Sequence, residues 1–194
     1  MKKLIAAIVL MTMVLTGCGE RTITRTDPGL ITDLSGRWND SDARMVAQAL
    51  VEKALVAPWL NNYRAENESA RPTIMVGNVY NITSEHIDTD VYMDEMESAF
   101  INSGMVRVVA RPTERGDLRA EQENQQARAT DASAAAIGAE LGADYVLMGS
   151  LKSIVDQYGD ERVIYYQASL DLIAVETTEK VWAGNHEIKK ILEW

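Results

Sequence analysis

Ser84-Glu85-His86-Ile87-Asp88 sets a serine, a histidine and an aspartate at alternate positions, the residue types of a nucleophile, its base and an orienting acid. On a strand the three would share a face, with successive members about 6.5 Å apart, too far for the direct hydrogen bonds of such a relay. No Gly-x-Ser-x-Gly elbow accompanies them. The stretch reads instead as a loop leading into a helix capped by Asp88 or Thr89, and no catalytic residue is expected. His86, with Glu85 and Asp88, lacks a second nitrogen or sulfur ligand nearby, so no metal site is expected. The other histidine, His186, stands beside Glu187 in a segment that reads as the last strand, where a solvent-facing pair is the expectation. Neither a phosphate loop nor a dinucleotide fingerprint occurs in the sequence, so neither a cofactor nor a small-molecule substrate is expected.

The only cysteine, Cys18, has a different context. Lys2 and Lys3 precede a mostly apolar run from Leu4 to Leu15, and small Gly17 stands before Cys18, the pattern of a secretory signal. The run falls short of the roughly 20 apolar residues that a membrane-spanning helix needs. Leu15-Thr16-Gly17-Cys18 resembles the bacterial lipobox. That resemblance implies removal of residues 1–17 and acylation of Cys18, which becomes the new amino terminus. Each buried CH₂ contributes about 0.8 kcal/mol, so more than one acyl chain holds a soluble domain on a membrane. Gly19 follows where an aspartate would signal inner-membrane retention, so the resemblance implies the periplasmic face of the outer membrane.

The chain carries 19 Lys and Arg against 29 Asp and Glu, a net charge of −10. Loss of Lys2 and Lys3 with the signal takes the balance to about −12. Such a surplus argues against nucleic acid or anionic lipid as a partner of the globular part, since both require clustered basic residues. A single cysteine cannot form a structural disulfide within the chain, so packing alone must hold the domain together.

Residues 18–38 form the lipidated cysteine and a tether with no sustained period, and residues 39–194 are expected to fold as one periplasmic domain. Asp40 or Ser41 can cap a helix with Val46, Leu50 and Ala54 beside Ala47, Val51 and Leu55, and Pro58 ends it or opens a further turn. Thr73–Asn81 reads as a strand. Tyr92, Met93, Met96 and Phe100 give the next helix an apolar face that closes at Gly104, and residues 105–110 read as a second strand. Ala134, Ile137, Gly138 and Leu141 mark another helix, stopped by Gly142. The period then changes to two over Tyr145–Val155, Val163–Val175 and residues 180–190, a meander turning at 156–160 and 176–178. A βαβ unit followed by hairpins predicts a mixed α/β (α+β) domain, with helices packed on a five-stranded mixed sheet.

"SGRWNDSDAR", "NVYNITSEHIDT", "FINSGMVRVVA", "ELGADYVLMG" and "YYQASLDLIAVETTEKVWAG" together, behind a lipobox, resemble the LpoB-type lipoproteins, outer-membrane activators of bifunctional class A penicillin-binding proteins. The resemblance implies a fold like the TolB amino-terminal domain, no chemistry of its own, and stimulation of a peptidoglycan synthase by binding it. The sequence departs from that family in its short tether. About 20 residues separate Cys18 from Trp38, at most roughly 70 Å when extended and about 25 Å as a flexible coil. "ELGADYVLMG" also resembles curli-secretion lipoproteins, and a structural or secretion-assembly role is the alternative, although the chain shows no spare alternating segment for a barrel. Loop position and residue type mark Trp38, Asn39, Glu85, His86 and Tyr158 as partner-binding candidates. Trp38 could equally pin the tether to the domain.

Overall fold

A computed structural model of the chain describes residues 23–111, 114–116, 118 and 142–193. The chain divides into two compact units, Met1–Leu30 and Ile31–Trp194. In the first, residues 23–30 are exposed and contain a turn in which the Gly29 N–H donates to Asp27 Oδ1 (2.9 Å) and the Leu30 N–H to the Asp27 carbonyl (3.0 Å). The second unit begins at Ile31, ahead of the boundary at 39 that composition suggests.

Helix α1 (Asp40–Val56) is capped by Asn39, one residue before the expected Asp40 or Ser41. Asn39, in extended conformation, accepts from the Asp42 N–H, and Asp42 accepts from the Asn39 N–H, closing a capping box. Val46, Ala47, Leu50, Val51 and Ala54 form its buried stripe. Pro58 opens α2 (Pro58–Glu66), where its missing N–H has no helical partner to lose. Strand β1 (Thr73–Asn81) follows as expected. Helix α3 (Thr89–Ser103) is capped by Asp88 and closed by Gly104 at φ 64°, and it buries Tyr92, Met93, Met96 and Phe100.

Strand β2 is only Arg107–Val108, shorter than the apolar run around it. It pairs parallel to β1 and completes a βαβ unit. Strands β3 (Tyr145–Tyr158), β4 (Glu161–Ala174) and β5 (Lys180–Glu193) are longer than expected. Asp156 and Gln157, expected in the turn, stay in the ladder opposite Val163 and Arg162, because Gly159 at φ 58° turns the chain within two residues. The sheet runs β2-β1-β3-β4-β5, parallel through β3 and antiparallel beyond, a five-stranded mixed sheet as predicted. A Cβ at Gly149 on β3 would collide with the Ser169 carbonyl of β4, so this crossing admits only glycine.

Ile164, Tyr166, Ala168, Leu170 and Leu172 of β4 are all buried, the face that their alternation predicted. On β5 the same alternation corrects one expectation. Neighbours on a strand point to opposite faces, so His186 lies with Ile188 and Lys190 on the inward side while Glu187 faces out. Burial, then the Lys53 charge, lower the His186 pKa. The helix expected at Ala134–Leu141 lies outside the described residues. Among the described residues no helix is long and apolar enough to cross a membrane.

Candidate functional site

The loop after β1 is built by the last residue of that strand and Thr83. Asn81 Oδ1 accepts from the Thr83 N–H (3.0 Å) and hydroxyl (2.7 Å), its Nδ2 donates to the Glu85 carbonyl (2.8 Å), and Thr83 Oγ1 accepts from the Glu85 N–H (3.1 Å). These bonds fold residues 82–88 so that Glu85 points inward while His86 stays exposed. Glu85 Oε1 accepts from the Tyr166 hydroxyl at 2.6 Å, and Oε2 accepts from the Trp38 N–H at 3.3 Å. The Trp38 N–H also reaches the Tyr166 oxygen at 3.1 Å. The Trp38 ring packs edge-on against Tyr166 and Tyr92, at centroid distances of 5.5 and 6.4 Å. Burial, then the bond to Glu85, raise the Tyr166 pKa far above its ordinary value.

A second latch lies just upstream. Lys190 on β5, its side chain 9% exposed, donates to Asp42 Oδ2 (2.6 Å) and the Arg37 carbonyl (2.9 Å), and pairs with Asp33 Oδ2 (2.7 Å). Gly36, at φ 64°, lies so close to Leu192 that any Cβ there would enter that side chain. Residues 33–38 are therefore a strap fixed to the sheet by an ion network at one end and by Trp38 at the other. Between the strap and the loop opens a cleft of about 350 Å³, lined by Arg37, Trp38, Asn39, His86, Asp88 and Val91 among others. Its mixture of apolar surface and both signs of charge suits protein docking better than a charged ligand.

Trp38, Asn39, Glu85 and His86, expected as partner residues, come together around this cleft. Three have internal duties: Asn39 caps α1, Glu85 holds the latch and Trp38 pins the strap. His86 alone of the four stands exposed on the rim. Tyr158 lies apart, 92% exposed at the β3–β4 turn. It pairs with Glu161, five residues along β4 from Tyr166 and so roughly 17 Å away on the opposite face. Ser84 is exposed and Asp88 is committed to capping α3, its Oδ1 accepting from the Asp90 N–H at 3.0 Å. Since the loop is not a strand, the three residues do not form an aligned row.

Sequence reasoning missed Tyr166, Asp33, Lys190 and the Asn81–Thr83 loop staple. Only Lys190 carried a local signal, as a lysine between Ile188 and Leu192 on the inward face of an alternating strand. A second cleft, of about 800 Å³, lies by the amino-terminal ends of β1 and β3 and includes Tyr63, Asp144 and Tyr145. There Asp144 accepts from the Tyr63 hydroxyl (2.9 Å) and the Thr73 N–H (2.7 Å), tying α2 to β1. Burial and this carboxylate push the Tyr63 pKa up to about 12. Among the described residues no group of three His, Cys, Asp or Glu converges to hold a metal ion.

The fold and this surface define a mixed α/β domain whose exposed cleft is shaped by a loop and a strap. The model of the peptidoglycan-synthase activator LpoB family matches residues 42–188, and the chain belongs to that family. Among solved structures, the chain is similar to the LpoB carboxy-terminal domains from Salmonella enterica and from Escherichia coli. Each is 22% identical, with 76% of this chain and 98% of that chain covered and a TM-score of 0.43. It is also similar to the lipoprotein GNA1162 from Neisseria meningitidis, at 18% identity over 61% of this chain and 83% of that one, with a TM-score of 0.38. No curated protein matches it in sequence.

Proposed function

We propose that the chain is a non-enzymatic lipoprotein, acylated at Cys18 and held at the periplasmic face of the outer membrane, that binds and activates a class A penicillin-binding protein. Its membership of the peptidoglycan-synthase activator family is the observation that carries this reading. The lipobox at Leu15–Cys18 supports the anchor. Activation requires that the chain bind the active conformation of the synthase more tightly than the inactive one; equal affinity for both would stimulate nothing. The cleft between strap and loop is the proposed contact, with His86, Arg37 and Val91 offered to the partner and Glu85 and Trp38 holding the walls in place.

Residues 19–30, twelve in number, separate Cys18 from the unit that begins at Ile31. Twelve residues reach at most about 40 Å extended and about 20 Å as a coil. The synthase it serves must therefore present its docking module close to the outer membrane. The structural or secretion-assembly alternative needs further amphipathic strands, and the described strands all lie in one sheet. The test is lipid II polymerisation by the cognate class A synthase, with and without the soluble chain from residue 19. Stimulation at micromolar concentration is expected; no binding and no stimulation would overturn the proposal.

A further inference from the structure

β5 is an outer strand of the sheet, fourteen residues long. Among the described residues no strand pairs with its outer row of N–H and C=O groups. An edge of this length is a template for another strand unless its charges forbid it. Here the charges select a register instead. Asn185, Glu187, Lys189 and Ile191 point to the face opposite the helices, and Ile191 is 59% exposed.

Consider a second β5 laid antiparallel against the first about a two-fold axis. Pairing centred on Glu187 sets Glu187 against its own copy, and pairing centred on Lys189 sets Lys189 against its own copy; like charges directly opposite are destabilising. Pairing centred on Ile188 sets Glu187 opposite Lys189 twice, by symmetry, with Ile188 on Ile188 and Asn185 on Ile191. A register one residue away would put the wrong faces together.

We propose that β5 is a homodimerisation edge, on which a second copy of this chain pairs antiparallel about Ile188 and is selected by two Glu187–Lys189 ion pairs. This inference is independent of the activator reading. Both arrangements of an antiparallel ladder accommodate a two-fold axis at Ile188, one with hydrogen bonds at that pair and the other with bonds at the flanking pairs. The same register sets His186 opposite Lys190, and this contact is benign. The Lys190 ammonium is turned into Asp42 and Asp33, and burial lowers the His186 pKa, favouring the neutral ring. Lys53 of α1 donates to the Asn185 carbonyl at 2.7 Å. A carbonyl oxygen has two lone pairs, so an incoming Ile191 N–H can share it. The contact is isologous, so each substitution acts twice per dimer.

The test is sedimentation equilibrium of the full chain in detergent micelles, comparing the natural protein with Glu187→Lys, Lys189→Glu and the double reversal, with folding checked by circular dichroism. The expected result is a reversible dimer, loosened about tenfold or more by each single reversal, which opposes like charges twice, and restored within about threefold by the double reversal. A natural protein that stays monomeric to several hundred micromolar would overturn the proposal. So would single reversals that leave association unchanged, or a double reversal that fails to restore it.

Discussion

Replacing Lys190 with methionine keeps the length of the side chain and removes its charge. The Asp42 side chain, 6% exposed, would then retain the Asn39 N–H as a partner but lose the ammonium 2.6 Å away, while Asp33, at 37% exposure, could turn back to water. Removing one partner of a buried ion pair typically costs 3–5 kcal/mol, and the surviving bond to Asn39 places the expected loss near about 3 kcal/mol. For a unit of this size, each kcal/mol lowers Tm by about 2–4 °C, so a drop of about 6–12 °C is expected. The assay is urea and thermal unfolding of the chain from residue 19, run as a double-mutant cycle with Asp42→Asn. The coupling should reach about 2 kcal/mol, because the second substitution removes the stranded charge that the first creates. Raising the salt to 1 M should change it little, since a buried pair is poorly screened. Hydrogen exchange should show the amides of Gly36, Arg37 and Trp38 losing protection. A Tm drop below about 2 °C, or strictly additive losses, would refute the idea that this network holds the strap.

Tyr166→Phe should remove an alkaline instability. The folded pKa of Tyr166 is raised above the unfolded value near 10, so its stabilisation is complete below that pH and is lost as pH rises towards the folded value. Unfolding curves between pH 9 and 12 should therefore steepen in the natural protein more than in the variant. Asn39→Ala breaks the capping box of α1 and should cost about 1 kcal/mol in urea unfolding. Tyr92, buried with a hydroxyl that meets no partner among the described residues, should tolerate Tyr92→Phe with unchanged or slightly higher Tm, because a buried unpaired hydroxyl costs about 1–3 kcal/mol. His86→Ala should leave stability within about 0.5 kcal/mol, as expected of an exposed loop residue, yet reduce stimulation of the synthase.

Period and punctuation made most of the fold legible. The alternation of Ile164 to Leu172, the helical stripe of Val46 to Ala54 and the stop at Gly104 each reflect a local rule that tertiary packing left undisturbed. Strand ends were less legible because ladder pairing, absent from local sequence, keeps Asp156 and Gln157 extended. The site followed the same division. Trp38, Asn39, Glu85 and His86, chosen by loop position, line one cleft, but their internal duties depend on residues distant in the chain. Tyr166 is 81 positions from Glu85 and Lys190 is 148 from Asp42, and nothing short-range announces such bonds. Tyr158 shows the opposite error, since exposure at a turn is visible in sequence while separation from the cleft is not.

The proposed function depends on which surface meets the synthase. A photo-crosslinking residue placed at His86 of the full chain in cells should, on the proposed function, capture a class A penicillin-binding protein, whereas the same residue at Glu176, beside the cleft at the amino-terminal ends of β1 and β3, should not. Capture of the synthase from Glu176 alone, or of no synthase from either position, would contradict it.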